Sequence, residues 1–546
     1  MAILDELQVY PSREEFFRRV QQGHALVQVF TTVVVDSATP LGLYRRLAEG
    51  NSGAFLLESA ASGVWDRYSF IGCRALTTLT EYKGQSHWIG TPPAGVPTGG
   101  DPLEALGAVL HRCRDTVPPT GLPPMVSSLV GYLGWDMVRR CERLGEKPAE
   151  ETPVPEFSLY IPAELAVFDS YTSSLTVIAN VLVPPDSEPV DEHVLYNDAL
   201  KRIDDVLQAL SVPKAEDIAT WEAKSPTYSA RTSYEDYVAT VQDVKDDIHN
   251  GEAFQVVVGQ RFDHTGRAPH PVDLYRVLRT LNPSNYMYIL DVPTPGGTPM
   301  AVVGSSPESL VTVNRNQVST MPIAGSRPRG ATPQEDKALA QELLADEKER
   351  AEHLMLVDLA RNDIAKVCEA GSIDVVEFMN IKKFSHIMHM AAVVTGTLRE
   401  NMSAVDVLRA VFPAGTLSGA PKPRALEIID RVEPVSRGVY GGVVGYLGFN
   451  GDLDVAIAIR TGVIVGDTLS VYAGAGIVAD SVPESEWQES SNKAHAVLRA
   501  AASAQTLRTF CSREGTRQGQ QLAETPGKGS GHGQYATIAV KPGGGQ

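Results

Sequence analysis

An α+β fold, not a doubly wound parallel sheet, is predicted by three features of the 546-residue sequence. Short β-rich runs crowd the first part. Long helical patterns gather toward the end, and the two do not alternate strictly. The one formal dinucleotide fingerprint, Gly474-x-Gly476-x-x-Ala479, runs into Asp480-Ser481-Val482-Pro483 where a βαβ unit would need a helix.

Taken in order, residues 1–210 carry the strand-like runs ALVQVFTTVVV (25–35) and SLTVIANVLV (174–183) between Pro- and Gly-rich turns and a few helices. Residues 211–233 are polar and weakly patterned, and read as a linker. Residues 234–505 form the denser region. A helix is expected over about 234–250, then strands at AFQVVVGQRF (253–262), MYILDV (287–292) and SLVTV (309–313). A long helical pattern opens at Thr332-Pro333-Gln334-Glu335, which supplies an N-cap, a proline at the first helical position and a capping-box acid. It continues towards Gly371, too long for one ordinary helix, so a break is expected near Asp346. Pro483 can start another helix, and residues 506–546, rich in glycine, read as a disordered tail.

A net charge of −18 argues against nucleic acid or an anionic membrane as the main partner, because both recruit clustered Lys and Arg. The five cysteines are scattered without a CxxC pair, so neither a zinc site nor a disulfide framework is signalled, which favours a reducing cytoplasm. The acidic N-terminus is no signal peptide, and no apolar run is long enough to span a bilayer. GxSxG, Walker A and HExxH motifs are missing from the sequence.

The stretch EKERAEHLMLVDLARND (347–363) places Glu349 and Glu352 on one helical face, with Leu356, Leu359 and Asp363. Apolar residues surround that helix on every side, so it reads as buried, where carboxylates need a cation or donors to meet them. A second acidic pair, Glu486 and Glu489, shares a face with Lys493, Ala496 and Ala500. Four carboxylates from two helices suit one hard cation such as Mg²⁺; solvated surface acids are the ordinary alternative for each pair. Asp363 is expected to pair with Arg361 or a backbone amide. Glycine-rich turns at 414–422, 440–448 and 472–480 offer backbone N–H groups to a carboxylate, with Thr416, Lys422, Arg460 and Lys493 as further donors; plain turn and strand glycines are the alternative. His389, among apolar neighbours, is by default a satisfied core residue, and Glu308 by default ends a turn.

Together these blocks resemble the large subunit (component I) of the anthranilate synthases, within the chorismate-utilising enzymes. The matching blocks include LLES (56–59), RYSFIG (67–72), GEAFQVV (251–257), NPSNYMY (282–288), GSSPES (304–309), PIAGSRPRG (322–330), FPAGTLSGAPK (412–422), YGGVVGYLG (440–448), IAIRT (457–461), AGAGIVADS (473–481) and ESSNKA (489–494). They run colinearly over about residues 10–505.

The resemblance implies an α+β fold of antiparallel β-sheets with packed helices, in which an N-terminal regulatory, tryptophan-binding region (1–210) interlocks with a chorismate-binding catalytic domain (234–505). It implies Mg²⁺ held by Glu352 and Glu489, with Glu349 and Glu486 supporting. Glu308 is implied as general acid at the departing hydroxyl and His389 as acid/base near the ring, joined by Thr416 and Lys493. Substrate contacts map to Gly325, Ser326, Tyr440, Arg460, Gly474, Ala475 and Gly476. Feedback tryptophan maps to Glu58, Ser59, Asn285, Tyr286 and Met287, beside Leu57.

The implied reaction is attack of ammonia on C2 of chorismate, loss of the C4 hydroxyl and elimination of pyruvate to give anthranilate. Related enzymes that use a lysine nucleophile or a lysine-activated water differ here: Ala324 and Gln255 occupy those places, and neither can serve. No GxCxG-type cysteine turn marks a glutaminase, so a hetero-oligomer is implied in which a separate glutamine amidotransferase subunit delivers ammonia. An aminodeoxyisochorismate synthase that keeps the enolpyruvyl group, or a silent tryptophan-binding relative, are the alternatives. Departures from the family pattern are Ser326 for threonine, Asn285 for proline and Gly259 for serine.

Overall fold

The computed structural model describes residues 6–59, 67–114, 122–184, 191–212, 218–383 and 387–510. Among them, 21 strands join into one branched, antiparallel network, with helices packed on its faces. The α+β expectation with antiparallel sheets therefore holds.

The two β-branched runs of the N-terminal part pair with each other. Leu26–Val34 lies antiparallel to Ser174–Leu182 through nine consecutive residue pairs. From there the network continues through Phe157–Asp169 and Tyr68–Tyr82 to the short strand Phe55–Glu58. That strand pairs with Tyr286–Asp291, so sequence-distant halves meet edge to edge. A second junction pairs Ser128–Leu133 with Val443–Gly448. The apolar side chains follow the same plan: Phe16 and Tyr196 share a core with Tyr275, Val497 and Leu498.

The site strands form one continuous path. Tyr286–Asp291 pairs with Met300–Ser306, which pairs with Thr461–Val465, then Thr468–Ile477, then Gln255–His264. All the strands expected in this part are present, each shifted by at most two residues.

The break expected near Asp346 is also found. Pro333–Ala345 and Glu347–Ala365 are separate helices, and Asp346 ends the first and caps the second by accepting from Lys348 N and Glu349 N. Thr332 caps the first by accepting from Glu335 N at 3.2 Å. Three sequence readings need correction. The Glu347–Ala365 helix is not buried all round: Leu354 is 54% exposed and Asp358 faces solvent, because the helix lies on the sheet with one side open. The stretch read as a linker contributes two short strands, Ile218–Thr220 and Tyr228–Ala230. Its first strand pairs with Arg508–Phe510, inside the stretch read as a tail; the remaining tail, 511–546, lies outside the described residues. Among the described residues no helix is long and apolar enough to cross a membrane.

Candidate functional site

Glu308 follows Pro307 at the junction of strands Met300–Ser306 and Ser309–Asn314. Its carbonyl accepts Ile457 N at 2.9 Å, which ties it to the segment carrying Arg460. Its Oε1 accepts the Thr416 hydroxyl at 3.1 Å. Burial pushes the carboxyl up to about 7, against the Thr416 hydrogen bond and the charges of Lys493 and Arg460. A carboxyl poised there can give a proton at neutral pH. Arg460 sits in the left-handed region (φ +50°), a costly backbone for a non-glycine residue that is typical of functional positions. Burial lowers the pKa of its guanidinium, and Glu308 opposes that. Glu308, Thr416, Arg460 and Lys493 are thus brought together as expected.

His389 stands on strand Ile387–Thr397 opposite Ser326 of Ile323–Pro328. A register shift between Ala324 and Ser326 leaves Gly325 (φ +67°) as a bulge, and its carbonyl meets His389 Nδ1 at 2.9 Å. A carbonyl only accepts, so Nδ1 carries the proton and Nε2 the lone pair. Burial lowers the pKa of the ring and keeps it neutral near pH 7. A Cβ at Gly325 would come within 2.8 Å of Glu349 Oε2, which places this bulge against the carboxylate helix.

The second acidic helix, Pro483–Ala504, starts at the expected proline. Glu489 pairs with Lys493 at 2.7 Å, and Lys493 donates to Gly474 O at 3.1 Å. On the first helix Glu352 accepts Gln255 Nε2 at 3.3 Å. Burial and the neighbouring Glu352 push Glu349 up; burial and Glu489 do the same to Glu486, while Lys348 of the first helix opposes this across the gap. Two facing helices therefore present oxygen ligands whose mutual repulsion a cation would relieve, and this donor set fits Mg²⁺. A four-carboxylate cage is not formed: among the described residues no three acidic, histidine or cysteine side chains converge at metal-binding distance. Glu349 Oε1 turns instead to Arg327, at 3.4 Å. One or two carboxylates with water and substrate oxygens suffice for Mg²⁺.

Two polar readings of this region are corrected. Asp363 pairs with Lys422 (2.6 Å) and Lys366 (3.1 Å), while Arg361 takes Asp358 (3.4 Å). Lys422 is thereby committed and donates also to Val411 O, away from the glutamates. Gly474, Ala475 and Gly476 lie within strand Thr468–Ile477, not in a turn. Val258 O fills the space beside Gly474, and Gln255 Nε2 that beside Gly476.

Tyr440 belongs to a buried cluster that the sequence did not single out. Its ring stacks on Tyr472 at 4.9 Å, and Arg437 lies 5.5 Å from its centroid. Arg437 and Glu433 form an ion pair with both side chains 1% exposed. The signal was there: EPVSRG (433–438) puts the two charges four residues apart among apolar neighbours. The cluster also explains Gly259, whose N–H donates to Glu433 Oε1 at 2.7 Å. A Cβ there would stand 2.7 Å from Tyr472 Cε1. Gly259→Ser is expected to displace Tyr472 and cost about 1–3 kcal/mol in denaturant unfolding; unchanged stability would contradict this packing.

The tryptophan candidates also meet. Met287 pairs with Glu58 across neighbouring strands. The Glu58 carboxylate accepts Tyr275 Oη (2.5 Å) and Arg279 Nε (2.7 Å). Tyr286 donates to Asp454 Oδ1 at 3.1 Å, and burial pushes that carboxyl up to about 6. Asn285 and Ser59 flank the paired strands, and residues 60–66, which follow Ser59 in sequence, lie outside the described set. Asp454 and Tyr275 were not foreseen, because only the fold brings them here.

The family of chorismate binding enzymes matches residues 53–499. Anthranilate synthase component 1 of Arthrobacter globiformis is 49% identical over 91% of this chain and 94% of its own length. That of Mycolicibacterium smegmatis is 48% identical over the same shares. The crystal structure of anthranilate synthase component I from Streptococcus pneumoniae has a TM-score of 0.69 at 34% identity, covering 85% of this chain and 99% of that one. The menaquinone-specific isochorismate synthase of Escherichia coli shares the fold, with a TM-score of 0.66 at 18% identity over 90% and 99% of the two chains. The chain belongs to the family of chorismate binding enzymes.

Proposed function

We propose that the chain is the synthase subunit of an anthranilate synthase, converting chorismate and ammonia to anthranilate, pyruvate and water. The observation that carries this reading is the Glu308–Thr416 pair beside Arg460 and Lys493, with Glu308 pushed up to about 7. Arg460 and Lys493 hold the anionic substrate. As ammonia bonds to C2, Glu308 gives its proton to the C4 oxygen, which leaves as water. The ammonium group formed at C2 returns a proton to Glu308. His389 Nε2 then takes the C2 proton while the enolpyruvyl C–O bond breaks and gives it to the methylene carbon of the departing enolpyruvate, which leaves as pyruvate as the ring becomes aromatic. Glu352 and Glu489 would hold Mg²⁺, which when bound supplies Lewis-acid attraction for the ring carboxylate. Gln255, whose side-chain amide donates a hydrogen bond to Glu352, offers no base for activating water, which favours ammonia as nucleophile.

Ammonia comes from a separate glutamine amidotransferase subunit, and tryptophan bound near Glu58 and Met287 acts as feedback inhibitor. The test mixes the purified chain with chorismate, ammonium and Mg²⁺. Fluorescent anthranilate with equimolar pyruvate is expected, and glutamine alone should give nothing. An aminated product without pyruvate would indicate an aminodeoxyisochorismate synthase, and no turnover a silent relative.

A further inference from the structure

We propose that Arg437 is a positioning residue that presents the Thr416 hydroxyl to Glu308; the inference rests on the functional reading above. A buried ion pair gains little stability over apolar packing, since desolvation offsets the attraction. Here both partners are almost fully enclosed, and their remaining donors and acceptors are spent on main chain that carries site residues. Arg437 Nη1 donates to Leu417 O at 2.7 Å, immediately after Thr416. Its Nη2 donates to Val257 O at 2.8 Å, and Val257 is the strand partner of Gly476. Glu433 accepts the N–H of Gly259, the strand partner of Gly474, and the hydroxyl of Tyr472 at 3.0 Å. The guanidinium plane rests on Trp135, 4.2 Å from the ring centroid, and lies near the ring of Tyr440.

One fork thus fixes the segments carrying Thr416, Gly474–Gly476 and Tyr440 relative to one another. A lysine keeps the charge but cannot span Leu417 O, Val257 O and the Glu433 carboxylate together, because it has a single point of donation. With Leu417 released, Thr416 loses its aim at Glu308. The Glu308 carboxylate, left facing Arg460 and Lys493 without that hydroxyl, is harder to ionise.

The test uses the full chain with chorismate, ammonium and Mg²⁺, and compares Arg437→Lys, Thr416→Val and the double variant. Arg437→Lys is expected to lower kcat about tenfold or more while KM for chorismate changes less than about threefold. The alkaline limb of its pH profile should move upward, as it should in Thr416→Val. The double variant should be no worse than the more impaired single one, the sign of a shared path. Glu433→Gln, which keeps the side chain's shape, gives the same readouts if Arg437→Lys does not fold. An alkaline limb that moves in Thr416→Val and stays in place in both Arg437→Lys and Glu433→Gln would overturn the proposal. A loss confined to the folded fraction, with kcat per folded molecule intact, would overturn it too. A limb that stays in Thr416→Val itself would instead remove Glu308 from the proton-donor role.

Discussion

Glu308→Gln is expected to lower kcat by roughly 10²–10⁴-fold, the range for loss of a positioned general acid, and at the same time to make the protein more stable at pH 8. The second effect follows from the first residue's cost. Its carboxyl is raised from 4.5 to about 7 by burial. A raised carboxyl means that the folded state holds the proton more tightly than the unfolded chain. The folded state is therefore unpenalised below about 4.5, loses stability between 4.5 and 7, and carries the full penalty above about 7. That penalty is roughly 3 kcal/mol as an upper bound, because the side chain retains some access to solvent. Glutamine has no charge to bury. The variant should melt a few degrees above the parent at pH 8 and equally at pH 4, measured by calorimetry at both values. Equal melting at pH 8, or near-normal turnover, would contradict the placement of Glu308 in a low-dielectric pocket.

Glu352→Gln and Glu489→Gln are each expected to abolish turnover and to weaken Mg²⁺ binding by about 100-fold or more, read by calorimetric titration of the metal itself. Mg²⁺ dehydrates reluctantly and depends on anionic oxygen, so a neutral amide of the same shape is a poor replacement. Glu349→Gln should do less, since its carboxylate is already engaged by Arg327. The two carboxylates come from separate helices, Glu347–Ala365 and Pro483–Ala504, so neither alone builds the site. Undiminished Mg²⁺ affinity in both variants would sink the assignment.

Local signals in the chain made the secondary structure legible. Thr332, Pro333 and Asp346 show why: an N-cap, a proline at the first helical position and a helical pattern too long for one element are all recorded directly in the sequence. The carboxylate pairs were legible for the same reason, as three-residue spacings on helices. What could not be read were partners far along the chain. Asp363 was expected to pair with its neighbour Arg361 or a backbone amide, yet Lys422, 59 positions on, takes it through the fold. Arg327, which the sequence did not single out, bridges Glu342, Asp346 and Glu349. Apolar residues around Glu347–Ala365 suggested full burial, because pattern alone does not say how much of a helix the sheet covers. The Glu433–Arg437 pair escaped attention since four-residue charge spacing is ordinarily a solvated surface feature.

The strand Phe55–Glu58 fills the edge of Tyr286–Asp291, and Ser128–Leu133 fills that of Val443–Gly448. The N-terminal and C-terminal halves are therefore not modules that recombination could trade between relatives. Removing the first would strip backbone partners from strands that lead straight to Glu308 and Arg460, and leave their edges open to self-association. Inheritance of the candidate site thus carries inheritance of the N-terminal region, and change in either is constrained by the seam they hold in common.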